Sequence, residues 1–141
     1  TFNLDPQSIE KNITHNTKAI VVTNIFGHAA KLDEIMLIAK RYNLRVIEDN
    51  AQSPGALCNG VYTGTIGDIG VFSLNYHKHI HTGEGGMCVT NNAELSERMK
   101  LIRNHAEAVV EDGKEPNRLT PGRTKSNLLS GNRKSPAVFA L

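Results

Sequence analysis

One lysine stands among three histidines in "NYHKHIHTGEGG" (75–86), where a glycine-rich turn with a single glutamate follows. His77, His79 and His81 alternate, so on an extended segment the three imidazoles would share one side and could bind a catalytic zinc. Lys78 between them is an uncompensated cation, a fourth donor would have to come from afar, and the nearby glycines favour a turn, so the pattern weighs against metal. Pyridoxal phosphate asks for a different set: an amine to form an imine, a carboxylate opposite the pyridine nitrogen, and donors for the phosphate. Lys78 offers the amine. Asp49, closing "VIED", offers a carboxylate at the end of a buried strand, with Glu48 directed to the opposite face. Ser73 lies on the approach to Lys78 and offers a hydroxyl, and Asn75 lines the same wall. Each alone has a plainer reading: Asp49 as a turn cap, Ser73 as an ordinary strand-end serine, Gln52 as a surface turn residue. Their combination carries the argument.

A dinucleotide fold fits less well. Glu48 and Asp49 could bind a ribose, but no GxGxxG turn is present; the glycines of "GTIGDIG" at 64, 67 and 70 have the wrong spacing and lead into a strand rather than a helix.

The elements that must position these residues read as α/β. "KAIVVTN" (18–24) is a short β-branched run, predicted as a buried strand. In "KLDEIMLIAKRYN" (31–43) Leu32, Ile35, Met36, Ala39 and Tyr42 recur at helical spacing, with Asp33, Glu34, Lys40 and Arg41 toward water. "LRVIEDN" (44–50) reads as a second strand, and the three together as a βαβ unit with parallel strands. After a stretch rich in turn residues, "VFSLN" (71–75) and "GMCVTN" (86–91) read as strands flanking the lysine loop. Asn91 or Asn92 is placed to cap a helix over 93–105, with Glu94 three residues beyond Asn91 as in a capping box and Leu95, Met99 and Ile102 on one face. Beyond Gly113 the periodicity fades.

The 141 residues, 39% of them hydrophobic, suit one soluble globular domain or part of one. No run is long and apolar enough for a membrane helix and the first residues lack the order of a signal peptide, so the expected location is cytoplasmic. Cys58 and Cys88 have neither CxxC nor partner spacing and read as reduced. The net charge of +2 divides unevenly: Arg118, Arg123, Lys125, Arg133 and Lys134 face no acid in 118–141, which leaves 11 basic against 14 acidic groups before them. Those basic residues are scattered among Ser, Asn, Pro and Gly, with Phe139 the one stacking group, so the tail does not read as a nucleic-acid arm.

"VIEDNAQSPGA", "GTIGDIGVFSLNYHKHIHTGEGGMCVTNN" and "ELSERMKLIRNHAEAVVEDG", in that order and spacing, resemble the DegT/DnrJ/EryC1/StrS family of sugar aminotransferases. The resemblance runs from about residue 5 to about residue 117. It implies the large domain of a fold type I PLP-dependent transferase, a three-layer α/β fold whose mixed, mostly parallel sheet is flanked by helices, acting as a homodimer. By motif position it implies that Lys78 carries pyridoxal 5'-phosphate as a Schiff base and shuttles the proton, that Asp49 pairs with the pyridine nitrogen, that Gln52 lies against the ring, and that Ser73 binds the phosphate. The implied reaction moves an amino group, usually from glutamate, to a keto group of a nucleotide-linked sugar, with no nucleic acid, membrane or metal involved. Some relatives carry histidine at the lysine position and perform deoxygenation instead; Lys78 favours transamination. Family chains are far longer, so residues 1–117 are expected to be part of the large domain, with the preceding segment and the small C-terminal domain absent. Residues 118–141 depart from the family after "NRLT" and are expected to form a disordered basic tail, as a deletion with a change of reading frame would produce. The rival expectation is a remnant that keeps the scaffold without catalysis.

Overall fold

The computed structural model describes residues 1–103 and 137–140. Helix α1 (Pro6–Asn12) was not foreseen, although its start is written in the chain. Asp5 Oδ1 accepts the Gln7 N–H at 3.2 Å and Pro6 occupies the first turn, where its missing N–H costs nothing. Strand β1 (Ala19–Thr23), helix α2 (Leu32–Arg41) and strand β2 (Arg45–Asp49) form the expected βαβ unit, and β1 and β2 pair in parallel. α2 buries Leu32, Ile35, Ile38 and Ala39 against Ile9, Ile20, Val22 and Val46. Ile38 takes the place expected of Tyr42, which is exposed because the helix has already ended. Asn43, at φ +51, turns the chain there, and the Leu44 and Asn43 N–H groups donate to the Ala39 and Lys40 carbonyls at 2.8 and 3.3 Å, a Schellman stop.

A two-residue hairpin, β3 (Leu57–Cys58) and β4 (Val61–Tyr62), interrupts the turn-rich stretch that followed β2 in the sequence reading. Its turn is Asn59-Gly60, both at positive φ (50° and 80°), the type I′ geometry that such a pair favours. Strand β5 (Ile69–Ser73) pairs parallel to β2, and β6 (Gly86–Thr90) pairs antiparallel to β5 across the lysine loop. Strand β7 (Ala137–Ala140) pairs antiparallel to β6, so among the described residues the sheet runs β1-β2-β5-β6-β7 with β6 alone reversed. The sheet is thus mixed and mostly parallel, with flanking helices, as the fold class required. Apart from β7, the expectation of a disordered tail falls on residues outside the described ones.

Helix α3 (Ala93–Arg103) packs on β6 and β7. The capping box is not formed: Asn92 is the cap, its Oδ1 accepting the Glu94 and Leu95 N–H groups at 2.9 and 3.1 Å. That register leaves Glu94 one position short of the box, and it pairs with Arg98 instead. The expected face is also shifted, with Ser96 buried, Leu95 and Met99 half-buried and Ile102 exposed.

Candidate active site

Because β1, β2 and β5 run in parallel, Thr23, Asp49 and Ser73 end at one edge of the sheet, and Gly86 opens β6 at the same edge. Ligands of open α/β sheets gather at such a carboxyl edge. Residues paired across neighbouring strands project to the same face. Asp49 pairs with Val71, so Ser73, two residues on, shares the Asp49 face, whereas Glu48 and its partner Gly70 face the opposite way. The lysine loop leaves from Ser73 and returns to Gly86. Asp49, Ser73 and the loop carrying Lys78 are therefore brought to one edge, and their spread over 30 residues of sequence is closed by strand pairing alone.

Asp49 Oδ1 accepts the Ala51 N–H at 3.1 Å, and Oδ2 has no partner among the described residues. Ser73 Oγ accepts the Asn75 N–H at 3.4 Å, and its own hydrogen has no acceptor among the described residues. Lys78 is half-buried, and its backbone N–H donates to the Asn75 carbonyl at 2.9 Å, closing a turn. Gln52 is exposed, and its Oε1 accepts the Phe26 N–H at 3.2 Å. That bond and the Ile25 N–H to Asn3 Oδ1 bond (2.9 Å) hold Phe26 at φ +55, a backbone state costly for a bulky residue. Asn75 has its amide engaged within the loop: Nδ2 donates to both Glu84 oxygens at 3.1 and 3.0 Å, and Oδ1 accepts the His77 N–H at 3.2 Å.

The loop is turned rather than extended, which removes the premise of the zinc alternative. His77 stacks on Tyr76 with ring centroids 3.7 Å apart. Among the described residues no three His, Cys, Asp or Glu side chains are grouped to hold a metal ion. Cys88, paired with Val71 on the Asp49 face, is half-buried, and burial pushes its thiol pKa up. A cleft between residues 13–18 and 42–44 lies at the opposite, amino end of β1 and β2, away from these groups.

A buried polar framework beneath this edge was missed in the sequence. Glu48 is wholly buried, with Oε2 accepting the Gly64 N–H at 2.6 Å and Oε1 the Ile66 and Gly67 N–H groups at 2.7 and 2.6 Å. Asn24 Nδ2 reaches Glu48 Oε2 at 3.4 Å and Asn50 Oδ1 at 3.2 Å, and Asn50 Nδ2 donates to the Ser53 and Thr63 carbonyls at 3.0 and 3.2 Å. No described buried side-chain N or O atom is left without a partner. The network ties the ends of β1 and β2 to the segment leading into β5. It also explains the glycines at 64, 67 and 70. A Cβ at Gly70 would collide with the Gly64 carbonyl, one at Gly64 with the Phe72 ring, and one at Gly67 would lie 2.8 Å from the Val46 carbonyl oxygen. These glycines serve close backbone packing around a carboxylate. The signal available in the sequence was an acid on the buried parity of a β-branched strand.

Comparison with known proteins follows the same lines. Residues 1–124 match the DegT/DnrJ/EryC1/StrS aminotransferase family. The dTDP-3-amino-3,6-dideoxy-alpha-D-galactopyranose transaminase of Aneurinibacillus thermoaerophilus is 47% identical over 106 residues, covering 74% of this chain and 29% of that protein. The solved aminotransferase of Psychrobacter cryohalolentis superposes with a TM-score of 0.74 at 37% identity, over 86% of this chain and 30% of that one. The Escherichia coli GDP-4-keto-6-deoxy-D-mannose-3-dehydratase, solved with bound hydrated PLP, gives a TM-score of 0.69 at 39% identity, over 74% of this chain and 27% of that one. The chain spans under a third of the length of such curated relatives.

Proposed function

This chain belongs to the DegT/DnrJ/EryC1/StrS aminotransferase family, and on that premise we propose that it is the lysine-bearing part of a PLP-dependent aminotransferase acting on a nucleotide-linked keto sugar. The observation that carries the reading is the convergence at one sheet edge of a carboxylate oxygen on Asp49 and a hydroxyl hydrogen on Ser73, both unpartnered among the described residues, and the Lys78 loop, two of them on one face by strand register. That donor set fits pyridoxal 5'-phosphate. Bound there, the cofactor supplies an electron sink for the substrate carbon that loses its proton. Asp49 would accept the hydrogen bond of the protonated pyridine nitrogen, Ser73 would donate to the phosphate, and Gln52, its Nε2 unpartnered among the described residues, would hold the ring side of the cofactor. Asn75 lines the wall as the base of the lysine loop. Lys78 would hold the cofactor through its amine and would hold and return the proton at Nζ. The lysine favours transamination over the dehydration named for the Escherichia coli structure.

The amino donor on this reading is glutamate, the working form a cytoplasmic homodimer, and residues 1–117 part of its cofactor-binding domain. Among the described residues no helix is long and apolar enough to cross a membrane. The test is to incubate the chain with pyridoxal phosphate, reduce with borohydride and map the modified peptide by mass spectrometry. A label concentrated on Lys78 and lost in Asp49→Ala supports the reading. A label spread over Lys31, Lys40 and Lys100 overturns it for this chain and favours the remnant that keeps the scaffold alone.

A further inference from the structure

The excursion from Leu74 to Gly85 is long for a hairpin connection, and nothing in its length dictates where Lys78 comes to rest. Two backbone bonds close its base: Leu74 N–H to the Gly85 carbonyl and Thr82 N–H to the Leu74 carbonyl, both 2.9 Å. Within that ring one side-chain pair joins entry to exit. Asn75 spends both ends of its amide there, Nδ2 spanning the two Glu84 oxygens at 3.1 and 3.0 Å and Oδ1 accepting the His77 N–H at 3.2 Å. Glu84 is turned back toward Asn75 by Gly83 and Gly85, at φ +89 and +135, and its carbonyl accepts the Thr82 hydroxyl at 2.8 Å. Lys78 hangs from the same residue, its N–H bonded to the Asn75 carbonyl at 2.9 Å.

We propose that Asn75 and Glu84 are positioning residues, a clasp that fixes the course of the loop and so delivers the Lys78 amine to one place. This rests on the proposed function for the purpose of the clasp but not for its existence. The contact has a definite polarity, amide donor to carboxylate acceptor. Asn75→Asp therefore sets two carboxylates face to face, whereas Asn75→Asp combined with Glu84→Gln restores a donor opposite an acceptor in the reverse sense. Glu84→Gln alone keeps an acceptor for Asn75 Nδ2 and is the mild control.

The experiment uses the full chain and two readouts: hydrogen exchange of peptides from residues 74–86, and the fraction of borohydride-trapped pyridoxal phosphate found on Lys78 rather than other lysines. Asn75→Asp should speed exchange across the loop and lower the Lys78 fraction by roughly tenfold, the scale of a lost charged hydrogen bond. Exchange in β1 and β2 should be unchanged. The double variant should return both readouts to within about twofold of wild type, which a general loss of folding would not allow. Unchanged exchange in Asn75→Asp, or no recovery in the double variant, overturns the clasp. If the wild-type chain shows no preference for Lys78, the proposed function fails while loop exchange still decides the clasp.

Discussion

Glu48→Gln is the sharpest probe of the framework that joins β2 to β5. The carboxylate of Glu48 is wholly buried and receives three backbone N–H groups, from Gly64, Ile66 and Gly67, at 2.6–2.7 Å, with Asn24 Nδ2 at 3.4 Å. Two effects oppose each other. Removing a buried charge relieves its desolvation penalty, which can make an ion pair replaceable by apolar residues. Here the partners are main-chain donors that no side-chain substitution removes, so the relief is outweighed by donors left without an acceptor. In Glu48→Gln one end of the amide must present its own N–H groups to either Gly64 or the Ile66–Gly67 pair. One or two buried donors at about 1–3 kcal/mol each give an expected loss of about 1–6 kcal/mol. Glu48→Ala strands all three and opens a cavity, a loss approaching the roughly 5–15 kcal/mol that holds a whole domain, so cooperative unfolding should disappear. Urea unfolding followed by far-ultraviolet circular dichroism measures both variants. A Glu48→Gln midpoint within about 0.5 kcal/mol of wild type at equal m-value would refute the reasoning.

Gly70→Ala should cost about 3 kcal/mol in the same assay, since the new Cβ meets the Gly64 carbonyl of a segment that Glu48 pins in place; a neutral result would show that the segment can move. Arg45 and Asp68 form an ion pair at 2.9 Å, but the Arg45 side chain is 72% exposed, so Arg45→Ala should stay within about 0.5 kcal/mol of wild type. Asp68→Ala should cost more, about 1–2 kcal/mol, because Asp68 Oδ2 also accepts the Val46 N–H at 2.8 Å at the start of β2; equal effects would refute the distinction. Burial raises the Cys88 thiol pKa, so less thiolate is present at neutral pH. Its alkylation by iodoacetamide should show a pH midpoint above that of an unstructured cysteine peptide and return to the peptide value in concentrated urea; a midpoint at or below the peptide value would contradict the burial.

The βαβ unit was legible because β1 and β2 are short runs rich in β-branched residues and α2 carries Leu32, Ile35 and Ala39 at helical spacing; that one face of β1 is open, with Val21 exposed, was not, since the run is apolar on both parities. The edges of elements were less so. Tyr42 fell outside α2 because Asn43 stops the helix with a left-handed residue. Glu94 missed its box because Asn92, rather than Asn91, became the cap. Both outcomes turn on a single-residue register that neighbouring propensities leave almost degenerate. Helix α1 and the Asn59-Gly60 hairpin had local signals, Asp5-Pro6 and the Asn-Gly pair, that went unread.

The residue types of the candidate site, and the family order of the motifs that hold them, are properties of the sequence by itself, since side-chain chemistry and spacing need no coordinates. Tertiary structure alone decided which of them face one another. Alternation along β2 already separates Glu48 from Asp49; strand pairing put Asp49 and Ser73 on one face and gave Glu48 its partners, backbone N–H groups from a segment 16 to 19 residues away. Asn75, too, acquired its partner only when the loop closed on Glu84. Such pairings depend on through-space contacts between distant residues, and no local period or propensity encodes them.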